Sequence, residues 1–148
     1  MTAKISIQTH DFDVNAEIAA LCEGRGDVGA VATFSGLVRG DDELCAMTLE
    51  HYPGMTEREI AAHVAEAETR WPLLGVTVIH RVGRLLPGAR IVLVAVASSH
   101  RGAAFAAAEF LMDYLKTRAP FWKEEERAGG ARWVEARTSD DDAAKRWR

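Results

Sequence analysis

The sequence predicts a single α/β domain built around a mixed, mainly antiparallel β-sheet. Short segments rich in β-branched and apolar residues alternate along the chain with longer amphipathic segments, as strands and helices do in such a domain. The 148 residues are 48% hydrophobic and 27% charged, which allows one sizeable core and shows no bias towards disorder. No repeat, low-complexity tract or clear linker divides the chain, so we expect residues 1–148 to form one domain, with a small subdomain around residues 39–55.

The N-terminal third of the chain is predicted to be scaffold. Residues 4–8 are expected to form an edge strand, and Asp13 is placed to cap the short helix that follows. The segment 28–38 is rich in small and β-branched residues, which predicts a buried strand with a bulge or a close backbone approach at Gly36. Residues 46–52 form a second strand, and the polar turn between the two strands predicts an antiparallel hairpin.

Two amphipathic helices follow from the spacing of apolar residues. The first covers residues 56–71, where Thr56 is expected to cap the helix and Glu59 to complete a capping box. Its expected apolar face is Ile60, Val64, Ala67 and Trp71. The second covers residues 102–118. The expected core face of the second helix is Phe105, Ala108, Met112 and Leu115.

The remaining segments complete the predicted sheet. Residues 76–82 and 91–97 form two strands, and the second is apolar on both faces, so it should be central. Residues 132–137 form a last strand. The charged C-terminal segment after it is expected to lie on the surface or contact a partner rather than enter the core.

Composition excludes several classes of protein. The formal net charge of −4 and a pI near 5.7 argue against a general nucleic-acid binder, although a local basic pocket remains compatible with them. Cys22 and Cys45 have no metal-ligand spacing and make no disulfide framework, which suggests a reducing compartment. The sequence has no signal-peptide core, no apolar run long enough to cross a bilayer, and no glycine-rich phosphate loop. We therefore expect a cytoplasmic protein without a resident metal or cofactor.

The start of the second predicted helix breaks a local rule. His100 and Arg101 place positive groups at a helix N-terminus, which is unfavourable unless an anion is also bound there. The alternative is that Ser99 caps the helix and Arg101 points into solvent. A serine hydrolase is disfavoured, because no GxSxG motif is present and Ser98 and Ser99 are poorly placed for proton transfer to the adjacent histidine.

The segment YLKTRAPFWKEE, residues 114–125, carries the densest group of chemically useful side chains. Pro120 cannot continue a helix, so the chain must change direction and Lys116 and Lys123 must lie on different elements. They are candidates to converge on one pocket, with Phe121 and Trp122 beside them. The alternative is structural: Lys116 complements the helix dipole, and Lys123 is a surface charge on a strand.

Six motifs resemble one known family. They are FSGLVR at 34–39, LEHYPGMTE at 49–57, VTVIHRVGRLLPG at 76–88, SSHR at 98–101, MDYLKTRAPFWKEE at 112–125 and WVEAR at 133–137. Together they resemble the MoaE family, the large catalytic subunits of molybdopterin synthase. The resemblance runs from about the first strand to the C-terminus, and the order and spacing of HYPGM and YLKTRAPFWK make it specific.

The resemblance implies a fold, a reaction and partners. The fold would be an α/β hammerhead with an additional antiparallel subdomain, in the α+β class. The reaction would be the sulfuration of cyclic pyranopterin monophosphate to molybdopterin, in two steps. A ubiquitin-like small sulfur-carrier subunit of the MoaD type would bring the sulfur as a C-terminal thiocarboxylate. Two large subunits would form a central homodimer with a small subunit at each end, a heterotetramer.

The resemblance also assigns residues. It implies that Lys116 and Lys123 are catalytic, and that Arg39, His100 and Arg101 line the pterin and phosphate pocket beside them. Arg137 would contribute to the pocket of the neighbouring protomer, and Glu125 is a weaker candidate for orienting a lysine. Two departures from the family are the short loop after Arg39, from which no contacts are inferred, and the acidic pair after Lys123.

A sulfur-transfer enzyme would ordinarily use a cysteine, yet both cysteines lie on elements predicted to be remote from the cationic residues. Sulfur carried by a partner removes that need. The rival interpretation is a non-catalytic assembly subunit whose pocket holds an anion or a partner's C-terminal tail.

Overall fold

The computed structural model describes residues 2–134 and 138–147. These residues form two four-stranded sheets and four helices. In chain order the elements are β1 (Thr2–Gln8), α1 (Val14–Cys22), β2 (Ala30–Leu37), β3 (Leu44–His51), α2 (Met55–Arg70), β4 (Gly75–Arg81), β5 (Gly83–Leu85), β6 (Arg90–Ser98), α3 (Arg101–Thr117), β7 (Phe121–Arg127), β8 (Gly130–Val134) and α4 (Thr138–Lys145).

The first sheet has the strand order β1-β4-β6-β2. β1 runs parallel to β4, and the β4–β6 and β6–β2 pairs are antiparallel. The prediction of an edge strand at the N-terminus is confirmed by β1. The prediction of a central strand is confirmed by β6, whose residues 91–98 are all buried. Helices α2 and α3 pack on one face of this sheet, and the main hydrophobic core lies between these helices and the sheet.

The second sheet has the order β5-β3-β7-β8 and is antiparallel throughout. The predicted hairpin of β2 with β3 is therefore wrong, because the two strands belong to different sheets. The turn between them suits a hairpin, but β2 pairs along its length with β6 and β3 with β7, partners that are distant in sequence. β3 is the part of the segment 39–55 that enters this second sheet.

β2 is an edge strand, so the prediction that it would be buried is also wrong. Phe34 is 40% exposed and Leu37 is 54% exposed, and among the described residues no further strand pairs with the outer edge of β2. The prediction at Gly36 is confirmed: the register shifts between Gly36 and Leu37, and a Cβ on this glycine would stand 2.7 Å from Val92 Cγ1.

The helix caps follow the sequence only in part. Asp13 caps α1, where its Oδ1 accepts a hydrogen bond from Ala16 N at 3.1 Å. In α2 the cap is Gly54, at φ 85°, and Glu57 Oε1 accepts a hydrogen bond from its N–H at 3.0 Å. The predicted roles of Thr56 and Glu59 in a capping box are therefore wrong, because the cap and its partner lie two residues earlier, at Gly54 and Glu57.

The predicted core faces of the two long helices are mostly confirmed. Ile60, Val64 and Ala67 of α2 are buried. In α3 the prediction holds for Ala108, Met112 and Leu115. It is wrong for Phe105, which is 65% exposed, because the inward face of this alanine-rich helix is centred instead on other side chains. These are Ala104, Ala107, Phe110, Leu111 and Tyr114.

The C-terminal segment is only partly a surface element. α4 carries exposed side chains, but Trp147 after it packs on the core through Trp71 and Phe110, with ring centroids 5.6 and 5.7 Å away. Its indole N–H donates to the carboxylate of Asp113. The expectation of a segment outside the core is therefore wrong for this tryptophan. The predicted strand 132–137 is seen as β8, and its residues 135–137 lie outside the described residues.

The bend between α3 and β7 is fastened by a buried threonine. Thr56, fully buried in the first turn of α2, accepts a hydrogen bond from Tyr52 N at 3.0 Å and donates one to the carbonyl of Pro120 at 3.1 Å. On the α3 side, Ala119 N donates to Tyr114 O. One hydroxyl thus ties the end of β3, the start of α2 and the turn into β7.

An aromatic stack joins the two sheets. The His80 ring, at the end of β4, lies parallel to the Phe121 ring at the start of β7, with centroids 3.9 Å apart and 17° between the planes. His80 is 8% exposed. Burial, with smaller contributions from the charges of Lys116 and His51, lowers the pKa of His80 to about 4. The ring is therefore neutral at physiological pH.

Replacing Thr56 by valine should destabilise the fold. Valine keeps the shape but leaves Tyr52 N and the Pro120 carbonyl without a partner, which we expect to cost about 1–3 kcal/mol in the free energy of unfolding. The control is Thr69→Val on the exposed face of the same helix, expected within about 0.5 kcal/mol of wild type. Urea denaturation measures both. Equal stabilities of the two variants would contradict the role given to Thr56.

The buried histidine should make stability fall in acid. Because the pKa of His80 is lowered from its ordinary 6.5 to about 4, the unfolded chain binds the proton first, and stability is lost as pH falls from 6.5 towards 4. In His80→Phe this contribution is absent, so the difference in unfolding free energy between the two proteins should change by up to about 3 kcal/mol between pH 7 and pH 4. Urea titrations at several pH values test it, and parallel pH curves would contradict it.

Candidate active site

The bend brings Lys116 and Lys123 to the same end of the fold. Lys116 is in the last turn of α3, and its charge acts on the His80 ring. Lys123 is two residues after Phe121. The side chains of Phe121 and Lys123 therefore point to the same face of β7, about 7 Å apart along the strand. The two lysines lie on different elements, as predicted, with the bend at Pro120 between them.

The face of β7 that carries Lys123 points towards the interior. Lys123 stands opposite Leu49 of β3, and Leu49 is 6% exposed, so the lysine stem runs over apolar surface. Trp122 points to the other face, where its ring meets Tyr52 edge-on with centroids 4.3 Å apart. Phe121 is therefore beside the lysines as predicted, and Trp122 is not.

Arg39 lies at the same end as Lys123. It follows β2, and the backbone there is held by hydrogen bonds of Val38 with Ala89 and Gly88, each 2.8 Å. Its loop is attached to the end of β7, because Asp41 accepts two hydrogen bonds from the Arg127 guanidinium. Backbone N–H donation from Glu43, then Arg127, lowers the pKa of Asp41. Arg39 itself is exposed.

Glu125 makes its hydrogen bonds with an arginine. Its Oε2 accepts from Arg127 Nη2 at 2.6 Å and from Nε at 3.0 Å, and its side chain is 12% exposed. Arg127 thereby joins Glu125 to Asp41 and braces the strand that carries Lys123. The predicted role of Glu125 in orienting a lysine stays a prediction.

His100 and Arg101 lie at the opposite end of α3. Arg101 begins the helix and Lys116 comes 15 positions later, which separates them by about 22 Å along the axis. The two ends of β6 are separated in the same way. Its first residue lies near the Arg39 loop, and its last residue lies shortly before His100. One protomer therefore does not place His100 and Arg101 next to its own Lys116, and their role in binding the phosphate stays a prediction.

The turn that carries His100 is rigidly packed. Gly29 N donates to Ser98 O at 3.0 Å, and a Cβ on Gly29 would collide with the backbone carbonyl of Ser99. Ser98 Oγ donates to Pro72 O at 2.8 Å. The alternative in which Ser99 caps α3 is not met, since Ser99 donates to Asp27 O and the cap residue is His100, which makes no side-chain cap bond. Both His100 and Arg101 are exposed.

The remaining residues that the sequence singles out are Arg137 and the two cysteines. Arg137 is outside the described residues. Cys22 is the last residue of α1. Cys45 is exposed on β3, and its two neighbours in the chain pair with Arg127 and Glu126 of β7. Within residues 2–134 and 138–147, no group of His, Cys, Asp and Glu is arranged to hold a metal ion. No helix of the described part is long and apolar enough to cross a membrane.

Sequence reasoning missed His80 and Thr56. On β4, His80 follows the buried Val76 and Val78 at every second position, where an apolar side chain is expected. A polar residue at such a position was the signal that the sequence offered. Thr56 was read as a helix cap, and its bond to Pro120 joins residues 64 positions apart, which local patterns do not reveal.

Comparison with known proteins places the chain in one family. The family model described as "MoaE protein" matches residues 7–118. The "Molybdopterin synthase catalytic subunit" of Mesorhizobium japonicum is 62% identical over 97% of this chain and 92% of its own length, and the protein of that name from Escherichia coli K12 is 57% identical over 97% of each. The solved structure of the molybdopterin biosynthesis MoaE protein from Burkholderia ambifaria matches with a TM-score of 0.85 and 57% identity, covering 98% of this chain and 97% of that one. The chain therefore belongs to the MoaE family.

Proposed function

We propose that this chain is the catalytic subunit of a molybdopterin synthase, which transfers sulfur to cyclic pyranopterin monophosphate and so forms the dithiolene of molybdopterin. The observation that carries the proposal is the placement of Lys116 at the end of α3 and Lys123 on β7, on either side of one bend, with the Arg39 loop attached to the end of β7. The sulfur comes from the C-terminal thiocarboxylate of a ubiquitin-like small subunit. Relatives named as catalytic subunits support a second kind of subunit.

The two lysines supply the charge that this reaction needs. Their ammonium groups favour the ionised thiocarboxylate, whose sulfur attacks a carbon of the substrate. The same groups stabilise the negative charge that develops on the oxygen leaving that carbon, and either can pass it a proton. Hydrolysis of the bond between the acyl carbon and sulfur then leaves the sulfur on the substrate and a carboxylate on the small subunit. The cycle runs twice, once for each sulfur.

The phosphate of the substrate requires a second copy of the chain. Because His100 and Arg101 lie about 22 Å along α3 from Lys116, they cannot bind a small molecule that also reaches the lysines of their own protomer. In a twofold dimer, the partner's α3 N-terminus can approach the lysine end of the first protomer. We propose that each site combines Arg39, Lys116 and Lys123 of one protomer with His100 and Arg101 of the other. Arg137 is expected to act across the same interface.

Exposed apolar surface supports contact with other chains. Phe34 on β2 and Phe105 on α3, 40% and 65% exposed, border a cavity of about 560 Å³ with Ala108 and Met112 on its wall. An apolar patch of this kind beside an uncovered strand edge is typical of a protein interface. Neither cysteine lies on α3 or β7, the two elements that carry the lysines, which suits a reaction in which a partner brings the sulfur.

Either lysine should be required for turnover. With thiocarboxylated small subunit and cyclic pyranopterin monophosphate, Lys116→Ala and Lys123→Ala are expected to lower the rate of dithiolene formation by at least about 100-fold, while calorimetry still detects binding of the small subunit. Lys4→Ala, which removes a lysine paired with Glu17 at the far side, and the double variant Cys22→Ser, Cys45→Ser are the controls and should keep near-normal rates.

Near-normal turnover by Lys116→Ala would remove that lysine from its role. Absence of turnover by the wild-type protein, with binding of the small subunit retained, would favour the non-catalytic assembly subunit.

A mixed dimer tests whether sites are shared. Lys116→Ala and Arg101→Ala should each be inactive alone, but a mixed dimer holds one site with both residues intact. Random pairing should therefore restore about a quarter of wild-type activity, since half of the dimers are mixed and one of their two sites is whole. Co-expression followed by the dithiolene assay measures this. Mixtures that stay inactive, although mass spectrometry shows mixed dimers, would mean that both residues serve the same protomer's site.

A further inference from the structure

The short loop after Arg39 is fastened to β7 by one arginine. Arg127 Nη1 donates to both carboxylate oxygens of Asp41, at 3.1 Å to Oδ1 and 2.9 Å to Oδ2. Its Nε and Nη2 donate to Glu125 Oε2 at 3.0 and 2.6 Å. One guanidinium therefore connects the loop to a carboxylate on β7, two residues after Lys123. We call Asp41, Arg127 and Glu125 the loop clasp.

The loop clasp is stronger than an ordinary surface ion pair. Exposed pairs contribute little, because water and salt screen them and long side chains lose entropy when they are held. The side chains of Arg127 and Glu125 are only 21% and 12% exposed. The arginine also makes two hydrogen bonds to each carboxylate, and such forked contacts fix direction as well as distance.

Asp41 shapes the loop as well as fastening it. Its Oδ1 accepts hydrogen bonds from the backbone N–H groups of Glu43 and Leu44, each at 2.9 Å. An aspartate that accepts from backbone groups two and three residues further on closes a local turn. The carboxylate of Asp41 therefore makes the turn with Oδ1 and holds it against Arg127 with both oxygens.

The backbone of Arg39 is anchored on both sides. Before it, Val38 makes two backbone hydrogen bonds of 2.8 Å with the segment 87–89. After it, Gly40 packs on the same segment, where a Cβ on this glycine would stand 2.9 Å from a side-chain carbon. Asp41, the next residue, is held by the loop clasp. Because a long arginine side chain has many rotamers, anchoring its backbone limits the space that its guanidinium can reach.

We propose that Asp41 and Arg127 are positioning residues for Arg39, and that the loop clasp holds the Arg39 backbone against the strand that carries Lys123. The Arg39 guanidinium is thereby in place for the anionic substrate before the reaction begins, which lowers the cost of ordering it on binding. The inference rests on the proposed sulfur-transfer function, in which Arg39 belongs to the substrate pocket. Neither positioning residue has to touch the substrate.

Asp41→Asn removes most of the loop clasp and keeps the turn, since the amide oxygen still accepts from the backbone while the amide NH₂ opposes Arg127. The Kd for cyclic pyranopterin monophosphate, from calorimetry without the small subunit, and the KM should each rise about tenfold, while kcat stays within about threefold. The matched control is Arg84→Ala, which breaks the exposed pair of Arg84 with Glu126 in the same sheet and should change none of these constants.

A second comparison shows whether the loop clasp acts through Arg39. In the Arg39→Ala background, Asp41→Asn should change Kd and KM by less than about twofold, because the residue to be positioned is already gone. A further rise as large as that in the wild-type background overturns the proposal. Arg127→Gln keeps a donor for Glu125, should match Asp41→Asn in Kd and KM, and takes its place if circular dichroism shows that the asparagine variant has not folded.

Trypsin gives a measurement that needs no substrate. It cleaves after Arg39 when the loop opens, so cleavage at this bond should be about tenfold faster in Asp41→Asn and unchanged in Arg84→Ala. A wild-type cleavage rate in Asp41→Asn, or faster cleavage with unchanged Kd and KM, overturns the proposal. A wild-type protein that binds cyclic pyranopterin monophosphate without sulfur transfer would contradict the proposed function, and the Kd and cleavage comparisons would still decide whether the loop clasp positions Arg39.

Discussion

The hydroxyl of Thr56 is the constraint on which the geometry of this protein depends. This one side chain, in the first turn of α2, bonds both to the residue after β3 and to the bend at Pro120. Pro120 forces a change of direction, but a proline alone does not choose the direction. The hydrogen bond from Thr56 holds the bend against α2, and the ladder between β7 and β3 then sets how β7 leaves the bend that separates Lys123 from Lys116.

Much of the fold could be predicted from local pattern. The apolar run of β6 indicated a central strand, the spacing of Ile60, Val64 and Ala67 gave the buried face of α2, and Pro120 gave the bend. The pairing of β2 and β3 could not be predicted, because local turn chemistry favoured a hairpin while the actual partners, β6 and β7, are distant in sequence. Strand pairing is decided by packing across the whole domain, which one segment does not contain.

The candidate site was predictable in its chemistry and less so in its assembly. The cationic residues at element ends were visible in the sequence, but their grouping was not. Counting residues along α3 would have shown that Arg101 and Lys116 occupy opposite ends of a rigid rod. His80 was hidden for another reason: an isolated histidine in an apolar strand has many structural explanations, and only its stack on Phe121 brings it next to the lysines.

The position of these residues on α3 has a mechanical consequence. In the proposed dimer, each α3 contributes a lysine to one site and a phosphate-binding pair to the other, so a 17-residue helix physically connects the two active sites. Helices slide and tilt as whole units more easily than they stretch. Any shift of α3 along its axis that draws His100 and Arg101 towards a phosphate therefore moves Lys116 by the same amount in the other site. In the proposed dimer, two antiparallel helices would join the two sites, which would give a direct mechanical route for alternation between them.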